Sequence, residues 1–328
     1  MATPPPPAED HPRFTPFLRL PDIPYWSVRS EPVNMDMWIP RNIRANSHPP
    51  VLVNWHGGGL MSGVRDRDEW WQQYMLDLAV QHNALVLAPD YPLAPESKTP
   101  EMLASIERFL AWLLDEHAVS APLRLTADTA KLLVMGGSAG GWCALWAGIK
   151  RPEAICTLLL QYPMVDIADE HYGKSQVRTP TTGWFEMLKA LPESIVDEYL
   201  AKMQPGAVRV TEPGTGQTFP LTGAAFVHGR VAELVGQDCE ETYPFRALEK
   251  GGVRLPGRIW VAHGQDDYVV PVRGSERLVE LVEKNASATK IVLDTASGDH
   301  GFDVDMDRSS TALPIDERLR WVEEAWLA

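Results

Sequence analysis

Four groups of residues in this sequence have the types and spacing for acyl-transfer chemistry. Ser138 stands in Gly136-Gly137-Ser138-Ala139-Gly140, a G-x-S-x-G pattern. A serine on a tight glycine turn between a strand and a helix presents its hydroxyl for attack, and flanking glycines suit a turn where backbones crowd. Upstream, His56 opens Gly57-Gly58-Gly59. Three glycines leave backbone amides bare, and an attacked carbonyl needs N–H donors already in place for its developing charge, each worth about 3 kcal/mol. A phosphate cradle would continue with Gly-Lys-Ser/Thr, which Leu60-Met61-Ser62-Gly63 does not supply.

A base and an orienting acid are expected after the serine. His263-Gly264-Gln265-Asp266-Asp267 offers two aspartates past an apolar run, and Gly298-Asp299-His300-Gly301 offers a histidine in a glycine-containing loop. The imidazole would take the serine proton and return it to the leaving group, while the carboxylate fixes its tautomer. On residue order, Asp266 and Asp267 both fit the acid. His263 precedes the acid and reads as structural, His56 as a hydrogen-bonder pinning its own loop. Asp303, Asp305 and Asp307 read as a solvated acidic face.

These residues need elements to hold them. Short apolar runs at 51–55, 84–88, 131–135, 155–160, 258–262 and 290–294 read as buried strands. The run after the serine, 141–149, reads as a buried helix, and 101–116 carries apolar residues at helical spacing. Alternating strands and helices predict an α/β fold with a mainly parallel sheet. Between Pro163 and Lys250 the alternation breaks into a Gly-, Pro- and Thr-rich stretch too long for an ordinary connection, expected to be a cap over the site.

Longer blocks around these residues resemble the α/β-hydrolase superfamily, in its hormone-sensitive-lipase-like branch of carboxylesterases. The blocks are His56 to Gly59, Asp90-Tyr91-Pro92-Leu93-Ala94-Pro95-Glu96 (similar to D-Y-R-L-A-P-E), Gly136 to Gly141 (similar to G-D-S-A-G-G), H-G-x-x-D-x-x-V-P from His263 to Pro271, and His300-Gly301-Phe302. The resemblance implies an α/β-hydrolase fold with an inserted cap. It implies Ser138 as nucleophile, Asp267 as acid, His300 as base, and the amides of Gly58, Gly59 and Ala139 as the oxyanion hole. Two departures stand out: Gly137 replaces the family's aspartate beside the nucleophile, and Pro92 replaces an arginine that usually ties down the next loop.

The expected division is an N-terminal extension at 1–45, partly disordered, core at 46–165, cap at 166–250 and core again at 251–328. Leu60, Met61, Trp184, Phe185, Met187 and Leu188 are candidates to contact substrate, with Tyr199 and Phe226 as further cap residues, though most would simply pack the cap onto the core.

The chain has 328 residues, with 30 Lys+Arg against 44 Asp+Glu, a net charge of −14. That balance argues against nucleic acid and anionic membranes as partners. Three cysteines imply no disulfide framework, no apolar stretch is long enough to span a bilayer, and the proline-rich start lacks a signal-peptide pattern. A cytoplasmic enzyme follows as the expectation, with a homodimer left open. No metal or cofactor motif is present, so none is expected. The reading is a serine hydrolase of a small or medium hydrophobic ester; acyl transfer or lactone closure by the same residues, and a non-catalytic binder on this fold, are the alternatives.

Overall fold

Alternating burial explains the central strands. In β3 (Pro50–Trp55), β5 (Asp128–Gly137), β6 (Thr157–Gln161) and β7 (Arg258–Gly264), successive residues enter opposite cores. Val53, Val134, Leu158 and Val261 pack on one side; Leu52, Leu133, Leu159 and Trp260 pack on the other. Side chains alternate across a strand, so a sheet covered on both faces needs apolar residues at every position.

The structure is a computed structural model and describes residues 12–44, 47–115, 126–212 and 218–328, without the side chain of Trp184. Its eight-stranded sheet has the order β1-β2-β4-β3-β5-β6-β7-β8. From β4 (Leu85–Pro89) to β8 (Lys290–Ala296) all neighbours are parallel. β1 (Phe17–Val28) and β2 (Glu31–Pro40) form an antiparallel hairpin that joins the sheet at β4. Residues 17–40 of the expected N-terminal extension are therefore strands of the sheet. The proline-rich start falls outside the described residues.

Helices cover both faces. Helix α1 spans Gln73–Gln81, and α2 spans Thr99–Leu113. Helix α3, Ala139–Lys150, directly follows Ser138 and buries nearly all its residues, which fits its Ala- and Gly-rich sequence. Among the described residues, the stretch between β6 and β7 holds helices and loops, including α4 (Gly183–Leu188), α5 (Ser194–Lys202) and α6 (Phe219–His228). No helix among the described residues is long and apolar enough to cross a membrane.

This inserted stretch is tied to the glycine loop. Glu212 N donates to Gly63 O at 3.1 Å, and Thr222 Oγ1 donates to Ser62 Oγ at 3.1 Å. Arg209 donates to the carbonyls of Met61 and Ala94 and to Glu96 Oε2 at 3.0 Å. Pro92 stands where the resemblance expects an arginine, and Arg209, from the stretch between β6 and β7, donates to the Asp90–Glu96 loop.

Candidate active site

Ser138 follows strand β5 and is the N-cap of α3, with φ 55° and ψ −122°, a backbone that L-residues rarely adopt. Its amide donates to Gln161 O at 2.9 Å, and its carbonyl accepts from the amides of Gly141 and Met164 at 2.9 Å. These bonds hold the strained turn in place. A Cβ at Gly136 would collide with the Gly140 carbonyl, and one at Gly140 with the Trp55 carbonyl. The serine is 7% exposed, and that remaining surface lies in a cavity of about 580 Å³.

His300 lines the same cavity. It sits after β8 in a loop where Gly298 and Gly301 take φ of 151° and 80°. Its Nδ1 lies 2.7 Å from Asp267 Oδ2. The other oxygen of Asp267 accepts from the amides of Val269 and Val270, both at 2.9 Å. Asp267 follows β7, so the parallel β7–β8 pairing brings acid and histidine to one edge of the sheet. Burial pushes the Asp267 carboxyl up, but the charge of His300 and hydrogen bonds from His263 and His300 outweigh it. The net result is a carboxyl well below the usual range, ionised at every working pH.

The neighbouring candidates do other work. Asp266 accepts from Ser297 Oγ and Gly298 N, both at 2.9 Å, and so braces the loop before His300. His263 is fully buried, its Nδ1 2.7 Å from Ser275 Oγ and its Nε2 2.9 Å from Val270 O. His56 places Nδ1 2.8 Å from Gly57 O and stacks on Tyr91 at 4.4 Å.

Gly58 and Gly59 line the cavity with φ of 107° and 64°. Among the described residues, no backbone hydrogen bond uses either amide. Ala139 opens α3, where the first amides of a helix have no intrahelical partner.

The expected substrate contacts fare unevenly. Leu188 lines the cavity; Leu60, Met61, Phe185 and Met187 do not. Leu60, Met61 and Phe185 are wholly buried in the core, where their apolar side chains leave water fully, while Met187 is 67% exposed on the outer face of α4. The side chain of Trp184 is outside the described residues. Phe226 does line the cavity, together with Trp70, Trp71, Phe219 and Thr222. In α6, positions 219, 222, 223 and 226 share one helical face, a spacing visible in the sequence.

Asp303 corrects another expectation. It is not on a solvated face but fully buried, held by Tyr74 Oη at 2.7 Å and Gln72 Nε2 at 3.3 Å. Burial pushes its carboxyl up to about 6, against the hydrogen bonds from Tyr74 and Gln72 and the charge of His300. Gln72 and Tyr74 carried no motif.

The profile of the α/β-hydrolase fold family matches residues 52–230, more than half of the chain. The chain belongs to that family. A probable carboxylesterase, M8, from a Phoma species is 27% identical over 305 residues, covering 90% of this chain and 92% of its own. A non-reducing polyketide synthase, atr1, from Stereocaulon alpinum is 22% identical over 84% of this chain but only 12% of its own length. The solved structure of a fungal esterase from Rhizomucor miehei superposes with a TM-score of 0.62 at 19% identity, covering 97% of this chain and 87% of that one. At the level of the family, these similarities support an esterase-type hydrolase.

Proposed function

We propose that this chain is a serine carboxylesterase acting on a hydrophobic ester of small to medium size. The observation that carries the reading is the 2.7 Å contact between Asp267 and His300 at the cavity into which Ser138 also opens. His300 takes the Ser138 proton as Oγ attacks the carbonyl carbon. The amides of Gly58, Gly59 and Ala139 receive the oxyanion. The tetrahedral intermediate collapses, and the alcohol leaves with the proton from His300. Water, deprotonated by His300, then attacks the acyl carbon and releases the acid, and Ser138 recovers its proton. Asp267 keeps Nδ1 protonated, so the other nitrogen is free to act as base.

A cavity of about 580 Å³ falls in the usual range for small-molecule sites, and its aromatic walls favour an apolar ester. Residues 166–250 act as the cap in this reading, since Leu188, Phe219 and Phe226 form part of the cavity that Ser138 lines. The three cysteines are unpaired, which supports a reducing, cytoplasmic compartment.

The test is a panel of p-nitrophenyl esters from acetyl to long acyl, on wild type and Ser138→Ala. Turnover should peak at short or medium acyl chains and fall at least ~1,000-fold in the variant. Undiminished turnover in Ser138→Ala refutes the mechanism.

The similarity to part of a polyketide synthase favours a second reading, acyl transfer to an alcohol or amine by the same residues. Added alcohol that diverts the acyl-enzyme from hydrolysis would select it.

A further inference from the structure

The mechanism above leaves one buried carboxylate beside the histidine unused. Asp303 lies three positions after His300, is shut off from solvent, and receives hydrogen bonds from Tyr74 and Gln72. The amide nitrogen of Gln72 also donates to Tyr162 Oη at 3.0 Å. The Tyr162 ring in turn packs on the His300 imidazole, with centroids 4.6 Å apart and planes at 60°. An unbroken path of contacts therefore runs from carboxylate to amide to phenol to imidazole.

Two further observations mark this path as built. Tyr162 has φ 35°, a left-handed backbone that is a genuine outlier for a bulky residue. It is held there by a hydrogen bond from its own amide to Ala262 O at 2.7 Å. Its ring also occupies the space beside the nucleophile turn. A Cβ at Gly137 would meet Tyr162 Cε2 at 3.2 Å and Oη at 3.4 Å. Gly137 stands where the resemblance expects an aspartate, and here the tyrosine fills that room, linked to a carboxylate from another part of the chain.

We propose that Asp303 is a positioning residue for the base: through Gln72 and Tyr162 it seats the His300 ring, and its negative charge supports the imidazolium formed while His300 holds the serine proton. The proposal rests on the reading of Ser138 as nucleophile and His300 as base. The titratable groups facing this path are Tyr74, Tyr162, His300 and, across Tyr162, Asp267. Burial keeps both phenols protonated, so of Tyr74, Tyr162 and Asp303 it is Asp303 that changes charge in mildly acidic solution.

The experiment measures kcat and KM for p-nitrophenyl butyrate across pH 4.5–9 with wild type, Asp303→Asn, Tyr162→Phe and Ser138→Ala. In wild type, activity should fall on the acid side more steeply than in Asp303→Asn, because Asp303 gains a proton there and its charge no longer supports the imidazolium. Asp303→Asn should show a single-proton acid limb and a plateau kcat lowered roughly tenfold, with KM within about twofold. Tyr162→Phe should lower kcat about fivefold and keep the steep limb, since the charge remains while the ring loses its tie to Gln72. An acid limb unchanged by Asp303→Asn, or a kcat in Tyr162→Phe equal to wild type, overturns the proposal. If Asp303→Asn does not fold, the kcat of Tyr162→Phe decides. Retained turnover in Ser138→Ala would instead mean that the underlying reading of the site is wrong.

Discussion

Asp267 and Asp303 are both buried carboxylates under the influence of one imidazole, yet their surroundings drive them in opposite directions. Asp267 accepts two backbone amides on one oxygen and has His300 at 2.7 Å and His263 at 3.4 Å on the other. Asp303 has a phenol and a carboxamide, both neutral. Burial opposes ionisation at both sites. Two backbone amides and two imidazoles reverse that at Asp267, and a phenol and a carboxamide fail to do so at Asp303. The depth at which an acid lies therefore says little about its charge; the donors around it decide.

The largest effect that could break this contrast is on turnover. Asp267→Asn should lower kcat by about 10³–10⁴, since the amide cannot hold the required tautomer of His300. Asp266→Asn should cost far less, because that side chain braces only the 297–298 loop. Steady-state kinetics of the two variants compare them directly, and the reverse ranking would exchange their roles.

A second effect appears in stability. The folded-state value of Asp303, about 6, lies above the value of an unfolded aspartate, near 3.9. The folded protein therefore holds this proton more tightly. The associated stability is fully present below about pH 4 and is lost as pH rises towards 6 and beyond. Replacing the side chain by neutral Asn removes that loss. Urea unfolding should find Asp303→Asn gaining roughly 2 kcal/mol relative to wild type between pH 4.5 and pH 8. A constant difference across that range would show that Asp303 does not titrate there. Asp267 has the opposite sign: its depressed value contributes stability above about pH 4, lost as pH falls further.

The smallest effect sharpens the comparison. Tyr74→Phe removes one of the two donors to Asp303, leaving the carboxylate less well served than before. At pH 8 the variant should unfold about 1–2 kcal/mol more easily than wild type, and the difference should shrink at acidic pH, where the carboxyl is neutral. Chemical denaturation at the two pH values measures it.

Much of this site is legible in the sequence because backbone geometry dictates residue type locally. The Ser138 turn demands glycine at 136 and 140, and the apolar runs before 56, 138 and 263 had to be strands buried on both faces. Those strands fix where their following loops emerge, so Ser138 and His300 could be read as candidates from position, while Asp266 and Asp267 both fitted the acid until the resemblance pointed to Asp267. Asp303 could not. Read along the chain it is one acidic residue among three at alternate positions, and only the packing of Gln72, Tyr74 and Tyr162 around it removes it from water. The cavity wall was similarly hidden: Phe185 and Met187 are neighbours of Leu188 in the same short helix, yet of these three Leu188 alone lines the cavity, because the helix's packing onto the core sets which side faces inward.

The sequence by itself determined the strand-turn-helix carrying Ser138, the glycine run at 57–59, and the order along the chain of the proposed nucleophile, acid and base. These are local matters of sterics and period, contained within a few consecutive residues. The tertiary structure decided the charge state of each buried carboxylate, the tyrosine that takes up the room beside Gly137, and the arginine that the insertion lends to the loop after Asp90. Each of those depends on partners far away along the chain, and solvent exclusion arises only when distant segments close on one another.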